Sequence, residues 1–320
     1  MEVRLEIPEY LTAKGTVITG CDKNKIPDNL VIPNGITGIG KSAFNGCTYL
    51  ESVKIPDSVI EISDSAFIGC TALESIEIPD SVAYIGSGAF FGCVTLKSVK
   101  IPDRVTEISG YTFHGCTALE NVTIPNGVTK FGEGAFRACT TLESVKIPNS
   151  VTTIANDAFR DCTALKSIVI PSNIKQIYGD YVTGAFRGCT ALESVTIQDG
   201  VPVIGSCMFK GCTALKSIEI PGSVTEIYSS TFEDCTALES VVLSRGTMEI
   251  GGSVFNRCTA LKNVTVPRSV TGIDYHAFAE CPNLSIQYDG TKVQWEAIYK
   301  HDIGTFAVQC TDGSFGRQKW

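Results

Sequence analysis

Fourteen cysteines stand in 320 residues, and eleven of them keep a fixed beat: Cys47, Cys70, Cys93, Cys116, Cys139, Cys162, Cys189, Cys212, Cys235, Cys258 and Cys281. Nine of the ten intervals are 23 residues; the remaining one, Cys162 to Cys189, is 27. Cysteine patterns usually offer a disulfide framework or a metal site, and neither suits this spacing. Eleven is an odd number, and each member occupies the same Phe-x-x-Cys-x-x-Leu slot. If each copy is one coil of a stack, equivalent cysteines lie about 4.8 Å apart with parallel Cβ vectors. Disulfides want Cβ atoms about 3.8 Å apart and turned toward each other. The periodic cysteines are therefore expected to be buried free thiols, packing as small apolar residues. Zinc is a weak alternative, because thiolate sites use close pairs such as C-x2-C. Only Cys207 and Cys212 approach that spacing, and neither has a nearby His.

Other side chains capable of chemistry are scattered. Of the three histidines, His114 follows the repeat's Phe113 and His276 precedes Ala277, both at variable positions that read as surface; His301 lies beyond the repeats. Aspartates follow Pro at Asp57, Asp80 and Asp103, and a column of carboxylates could hold calcium. The column is broken by Asn126, Asn149, Ser172 and Gly222, so turn chemistry explains these residues better. No phosphate-cradling G-x-x-x-x-G-K loop occurs. The expectation is no catalytic residue, no metal and no cofactor.

The elements that carry these residues follow from the repeat, whose type copy is Ile55–Glu77. Leu50, Val53 and Ile55 turn inward from a short strand, with Ser52 and Lys54 outward. Pro56 lacks the N–H needed to extend a ladder and opens a turn with Asp57-Ser58. Val59 and Ile62 return an apolar edge to the core in a second extended segment. Ala66, Phe67 and Cys70 predict a tight, 3₁₀-like turn, in which Gly69 supplies backbone freedom. A period this strict over eleven copies means a solenoid of stacked coils.

Residues 1–31 read as a degenerate N-terminal repeat or cap, with a short strand and turn over Thr16–Cys21. Residues 32–281 hold the eleven repeats, and 282–320 a C-terminal cap and tail. In that last stretch Thr291 predicts an N-cap for a helix through Tyr299, with Trp295 and Ile298 on one face. Thr305–Cys310 then predicts a strand, followed by a loose tail ending at Trp320. The extra residues between Cys162 and Cys189 fall within Tyr178–Gly184 and are expected to loop out. Two further departures stand out: Pro is replaced by Gln198 and by Ser244, and Thr247 takes an inward Val position, so that coil is expected to be the loosest.

Composition narrows the partners. The net charge is −8 with no basic run, which disfavours nucleic acid. No apolar stretch is long enough for a spanning helix, and a monomer is expected. The opening residues lack the charged and apolar regions of an export signal, which fits either a cytosolic chain or a mature secreted form.

The unit Ile-Pro-x-x-Val-x-x-Ile-x-x-x-Ala-Phe-x-x-Cys-x-x-Leu-x-x-Val-x-Ile resembles the BspA-type subclass of leucine-rich repeats. The opening Gly15–Gly20 and the closing Tyr288–Thr291 with Trp295–Ile298 resemble the ends of such proteins. The resemblance implies a β-rich α/β fold: a right-handed leucine-rich-repeat solenoid of about eleven 23-residue coils. It would have a parallel concave sheet, short second strands and 3₁₀ or helical turns. It further implies a non-enzymatic protein- or glycan-binding module, adhesin-like, secreted or at the bacterial cell surface, with a host or matrix type of ligand. A structural spacer without a ligand is the alternative. On the concave strands one outward column is uniformly Ser or Asn, while its neighbour varies: Lys54, Glu77, Lys100, Thr123, Lys146, Val169, Thr196, Glu219, Val242 and Thr265. That varying column, with a candidate loop at Tyr178, Asp180 and Tyr181, is the candidate binding surface. It carries no aromatic residue, so the usual hot-spot anchors are missing from it.

Overall fold

A computed structural model describes residues 6–177 and 182–320. The chain is a β-rich solenoid of about 13 turns of roughly 23 residues, with very little helix. This exceeds the eleven expected because both ends also stack in register. Val17 and Ile18 pair with Gly38 and Ile39, and Ala307–Gln309 pair with Ser285–Gln287. Two compact units are formed, Met1–Val151 and Thr152–Trp320.

In the first unit, Leu11–Lys14 and Val17–Cys21 form an antiparallel hairpin turned at Gly15 (φ 62°). Sequence reading missed the hairpin's first strand. The repeats then contribute two short parallel strands to each coil but that of Val145, where the first strand shrinks to a bridge at Ser144. Asn29–Val31, Ser52–Lys54 and Ser75–Glu77 lie side by side in what we call the first sheet, and Gly38–Ile39, Glu61–Ile62 and Tyr84–Ile85 in the second. Phe44, Phe67, Phe90, Phe113 and Phe136 stack face to face through the core, their centroids 5.0 to 5.5 Å apart. That spacing is close to the ~4.8 Å of neighbouring strands, so one period serves both the ladder and the ring column.

The second unit repeats this plan, with first-sheet strands from Ser167–Ile170 to Asn263–Val266. The 27-residue interval leaves its stack intact. Ser167–Ile170 pair residue for residue with Ser194–Ile197, and Phe159 and Phe186 stack at 5.2 Å. The expected loop itself falls on residues 178–181, outside the described residues. Gln198 and Ser244, free of proline, donate their N–H groups to Ile170 and Ile220 and lengthen the ladder. Thr247 is fully buried, with its hydroxyl donated to the Val224 carbonyl at 3.2 Å, which offsets the expected loosening.

Past Cys281 two expectations need correction. The helix spans only Lys292–Ala297, closed by a capping box between Thr291 and Gln294, and Tyr299–Lys300 is a strand paired with Gly272–Ile273. The residues expected as a loose tail are ordered: Gly313–Lys319 is antiparallel to Thr305–Cys310. Trp320 packs edge-on against Trp295 at 5.6 Å and donates its indole N–H to the Phe306 carbonyl. These aromatics have a reason to gather. Phe306 meets Phe278, the last ring of the second unit's stack, at 5.6 Å.

The corner of each coil is a turn and not a helix. In the type copy Ala66, Ile68 and Cys70 donate to carbonyls three residues back, while Ser65, Phe67 and Gly69 donate to Ser87, Ala89 and Phe91 of the next coil. Left-handed backbone at Ser65 (φ 55°) and Gly69 (φ 69°) produces this alternation. All fourteen cysteines are free, and the periodic thiols do more than fill space. Cys70, Cys93, Cys116 and Cys139 each donate to the carbonyl of the preceding coil's Phe at 3.1 to 3.2 Å. The second unit does the same from Cys189 to Cys281. Burial pushes the Cys116, Cys235 and Cys281 thiols up to about 12.

Candidate functional site

All ten residues of the varying column are exposed, nine of them on first-sheet strands; Lys146 lies in no strand, since its coil has only a bridge at Ser144. In the first unit Lys54 stands beside Glu77 and Lys100 beside Thr123 in parallel register, with Lys146 further along the chain. Lys100 is not a bare charge, since its ammonium pairs with Asp80 at 3.1 Å. In the second unit Val169 lies beside Thr196, and Glu219, Val242 and Thr265 follow one another. Register extends these columns to residues the sequence reading left out: Val31 beside Lys54, and Gln287 beside Thr265. Pairing spreads across coils elsewhere on the surface, at Lys97–Glu74, Lys130–Glu107 and Lys262–Glu239. Tyr178, Asp180 and Tyr181 lie outside the described residues.

A concave feature sits on the second sheet of the second unit instead. The residue after the second-sheet strand alternates between glycine and a larger residue in two runs, Gly40, Ser63, Gly86, Ser109, Gly132 and Ala155, then Gly205, Tyr228, Gly251 and Asp274; Tyr178, at the same place in the sequence between them, interrupts the alternation. The glycines are steric necessities. A Cβ on Gly86 would lie 2.4 Å from the Asp64 nitrogen, and one on Gly251 2.9 Å from the Ile227 oxygen. Where the missing side chain at Gly251 falls between Tyr228 and Asp274, a trench of about 570 Å³ opens, walled also by Glu226, Glu249 and Tyr299. Tyr228 and Tyr299 are 43% and 72% exposed, so their rings offer apolar faces to a ligand. Glu226 and Glu249 occupy adjacent strands in direct register, an unfavourable pairing of like charges. Thr271 donates to the Glu249 carboxylate at 2.9 Å. Burial first, and then the neighbouring Glu226, raise the Tyr228 phenol. Chemically the trench offers acceptors and aromatic faces, which suits hydroxyl-rich or cationic ligands. Gly205 and Gly251 are visible in the sequence, but the gap that Gly251 leaves between Tyr228 and Asp274 is not.

The histidines do not converge with either surface. His114 is half-buried against Phe91, its ring 4.6 Å away, and the His276 ring lies tilted against Tyr275. Among the described residues no group of three or more His, Cys, Asp or Glu side chains is placed to hold a metal ion. No helix among them is long and apolar enough to cross a membrane.

The model of the BspA-type leucine-rich repeat region matches residues 21–93, 60–182 and 182–285. The chain belongs to the BspA-type leucine-rich repeat family. Among solved structures it is similar to a leucine-rich cell surface protein from Faecalibacterium prausnitzii, at 30% identity over 93% of this chain and 98% of that one, with a TM-score of 0.54. A leucine-rich repeat protein from Bacteroides ovatus superposes with a TM-score of 0.62 at 24% identity, over 95% of this chain and 97% of that one. No curated protein matches the chain. A BspA-type repeat is a scaffold, and its coils present side chains in columns on a regular backbone.

Proposed function

We propose that this chain is a non-enzymatic binding module, adhesin-like and displayed at the cell surface or secreted, whose ligand is a protein or glycan. The observation that carries the reading is the trench of the second unit. Exposed aromatic rings at Tyr228 and Tyr299 flank paired carboxylates at Glu226 and Glu249 on an otherwise regular sheet. Aromatic residues in a recess are the usual anchors of an interface. The surface location is supported by the likeness to the F. prausnitzii cell surface protein over nearly the full length of both chains. The charged first-sheet column, centred on Lys100 and Lys146, is the second candidate surface. The test is binding to immobilised matrix-type proteins and to a glycan array. Tyr228→Ala with Tyr299→Ala should weaken a trench ligand about tenfold or more, whereas Lys100→Glu with Lys146→Glu should act only on a first-sheet ligand. A spacer without a ligand is favoured by the surface charges that are consumed in cross-coil pairs; absence of binding on both panels would select it.

A further inference from the structure

The thiol column changes character at one place. In the first unit each thiol from Cys70 to Cys139 meets the carbonyl of a Phe 26 residues earlier. Looking 26 residues back, Cys47 reaches position 21, one period before Phe44, where Cys21 stands in place of the ring. Their Sγ atoms lie 3.2 Å apart, about 1 Å beyond a disulfide bond. Cys47 is buried, but Cys21, at the end of the hairpin strand Val17–Cys21, is only half-buried and open to reagents. The Lys23 ammonium hangs over Gly46, 3.2 Å from where a Cβ there would lie, and its charge favours the thiolate at both sulfurs, while Asp22 opposes it at Cys21. From Cys70 to Cys139 and from Cys189 to Cys281 the thiols are instead engaged with Phe carbonyls.

We infer that Cys21 and Cys47 are the site of a reversible disulfide, formed by exchange with low-molecular-weight disulfides such as oxidised glutathione. The Cys21 thiol loses its proton to water and its sulfur attacks one sulfur of the reagent. A Cys21–reagent bond forms, the reagent's own S–S bond breaks, and one small thiolate leaves. Cys47, deprotonated in turn, attacks the Cys21 sulfur and displaces the second small thiolate. Two protein thiols are thereby oxidised and one small disulfide is reduced to two thiols. The product ties the Leu11–Cys21 hairpin to the coil of Phe44. The hydrogen bond with Cys47, and then burial, hold the Cys21 thiol well above its ordinary range; Cys47 is pushed up to about 11, the hydrogen bond from Cys21 favouring its thiolate but the Cys70 thiol and burial outweighing it. A mildly alkaline buffer therefore suits the reaction.

The experiment takes the reduced full chain, incubates it with oxidised glutathione at a mildly alkaline pH, quenches it by alkylation and maps the peptides by mass spectrometry. A Cys21–Cys47 cross-linked peptide is expected, with the other twelve thiols alkylated on denaturation, and dithiothreitol should reverse it. Amide exchange over the hairpin should slow about tenfold on oxidation. Cys21→Ser, at a half-buried position that folding tolerates, should abolish the cross-link and leave Cys47 reduced. Cys47→Ser should trap Cys21 as its glutathione adduct. All fourteen thiols staying free, a stable glutathione adduct on Cys21 in the unsubstituted chain, or a Cys47–Cys70 cross-link would each overturn the inference.

Discussion

Phe90 has no exposed surface and lies between Phe67 and Phe113, whose centroids are 5.5 and 5.4 Å away. Neither neighbouring ring can collapse into a vacated slot without leaving its own stack, so the cavity left by Phe90→Ala should persist. A loss of about 3–5 kcal/mol is expected from urea unfolding; a loss under about 1 kcal/mol would mean that the ring column relaxes. The thiols beside the column are the residues whose chemistry the sequence made plain. An odd count in one slot pointed to free, buried sulfur, and the sulfurs are free. Their bond to the Phe carbonyl was not legible, because it depends on an offset between coils that a period does not reveal. In the native, reduced chain a thiol reagent should reach Cys21 first, though slowly because its thiol is held protonated, and the coil cysteines only on unfolding. All fourteen should label in denaturant when no oxidant has been added, and a markedly lower count would contradict the free ladder.

The corner turn is the element in which sequence and structure differ most instructively. Phe-x-x-Cys predicts a 3₁₀-like turn, and the local bonds do run three residues back, but every second N–H is handed to the next coil. That hand-over requires left-handed backbone at two points. Gly69 announces one of them, whereas Ser65, Tyr111 and His276 at the other point give no such signal in sequence. Tertiary bonding imposes the conformation there against local preference. The strands were legible for the opposite reason, since inward and outward residues alternate and Pro marks where each ladder stops. The trench was not, because Tyr228 looks like any variable residue until Gly251 beside it is seen to lack a side chain. Ala138 sits in the left-handed corner at φ 58° where most coils have Gly. Ala138→Gly should therefore stabilise the chain by about 0.5–1 kcal/mol, and Gly92→Ala should destabilise it by about 1–2 kcal/mol. Urea midpoints of the two variants check both signs.

For the whole chain, the periodicity that makes the fold readable also multiplies any property of one coil. Burial raises the thiols of Cys116, Cys235 and Cys281 from an ordinary value of 9.0 to about 12, and holds those of Cys93, Cys189, Cys212 and Cys258 well above 9.0. Below about pH 9 these thiols are protonated in both folded and unfolded chains, and the stability they confer is present in full. Above it the unfolded chain releases their protons while the folded chain keeps them until about pH 12. The unfolded state then binds fewer protons, and stability must fall as pH rises. Each thiol contributes a slope of about 1.4 kcal/mol per pH unit, so the first three alone give about 4 kcal/mol per unit. A typical domain has only about 5–15 kcal/mol to lose. The urea midpoint should thus be nearly flat between neutral pH and about 8.5, then drop steeply, with unfolding in plain buffer near pH 11. The order of events separates this cause from general charge repulsion. Thiolate absorbance should appear together with the loss of the β-sheet circular dichroism signal; thiolates arising while that signal is intact would show that the sulfur column ionises in place.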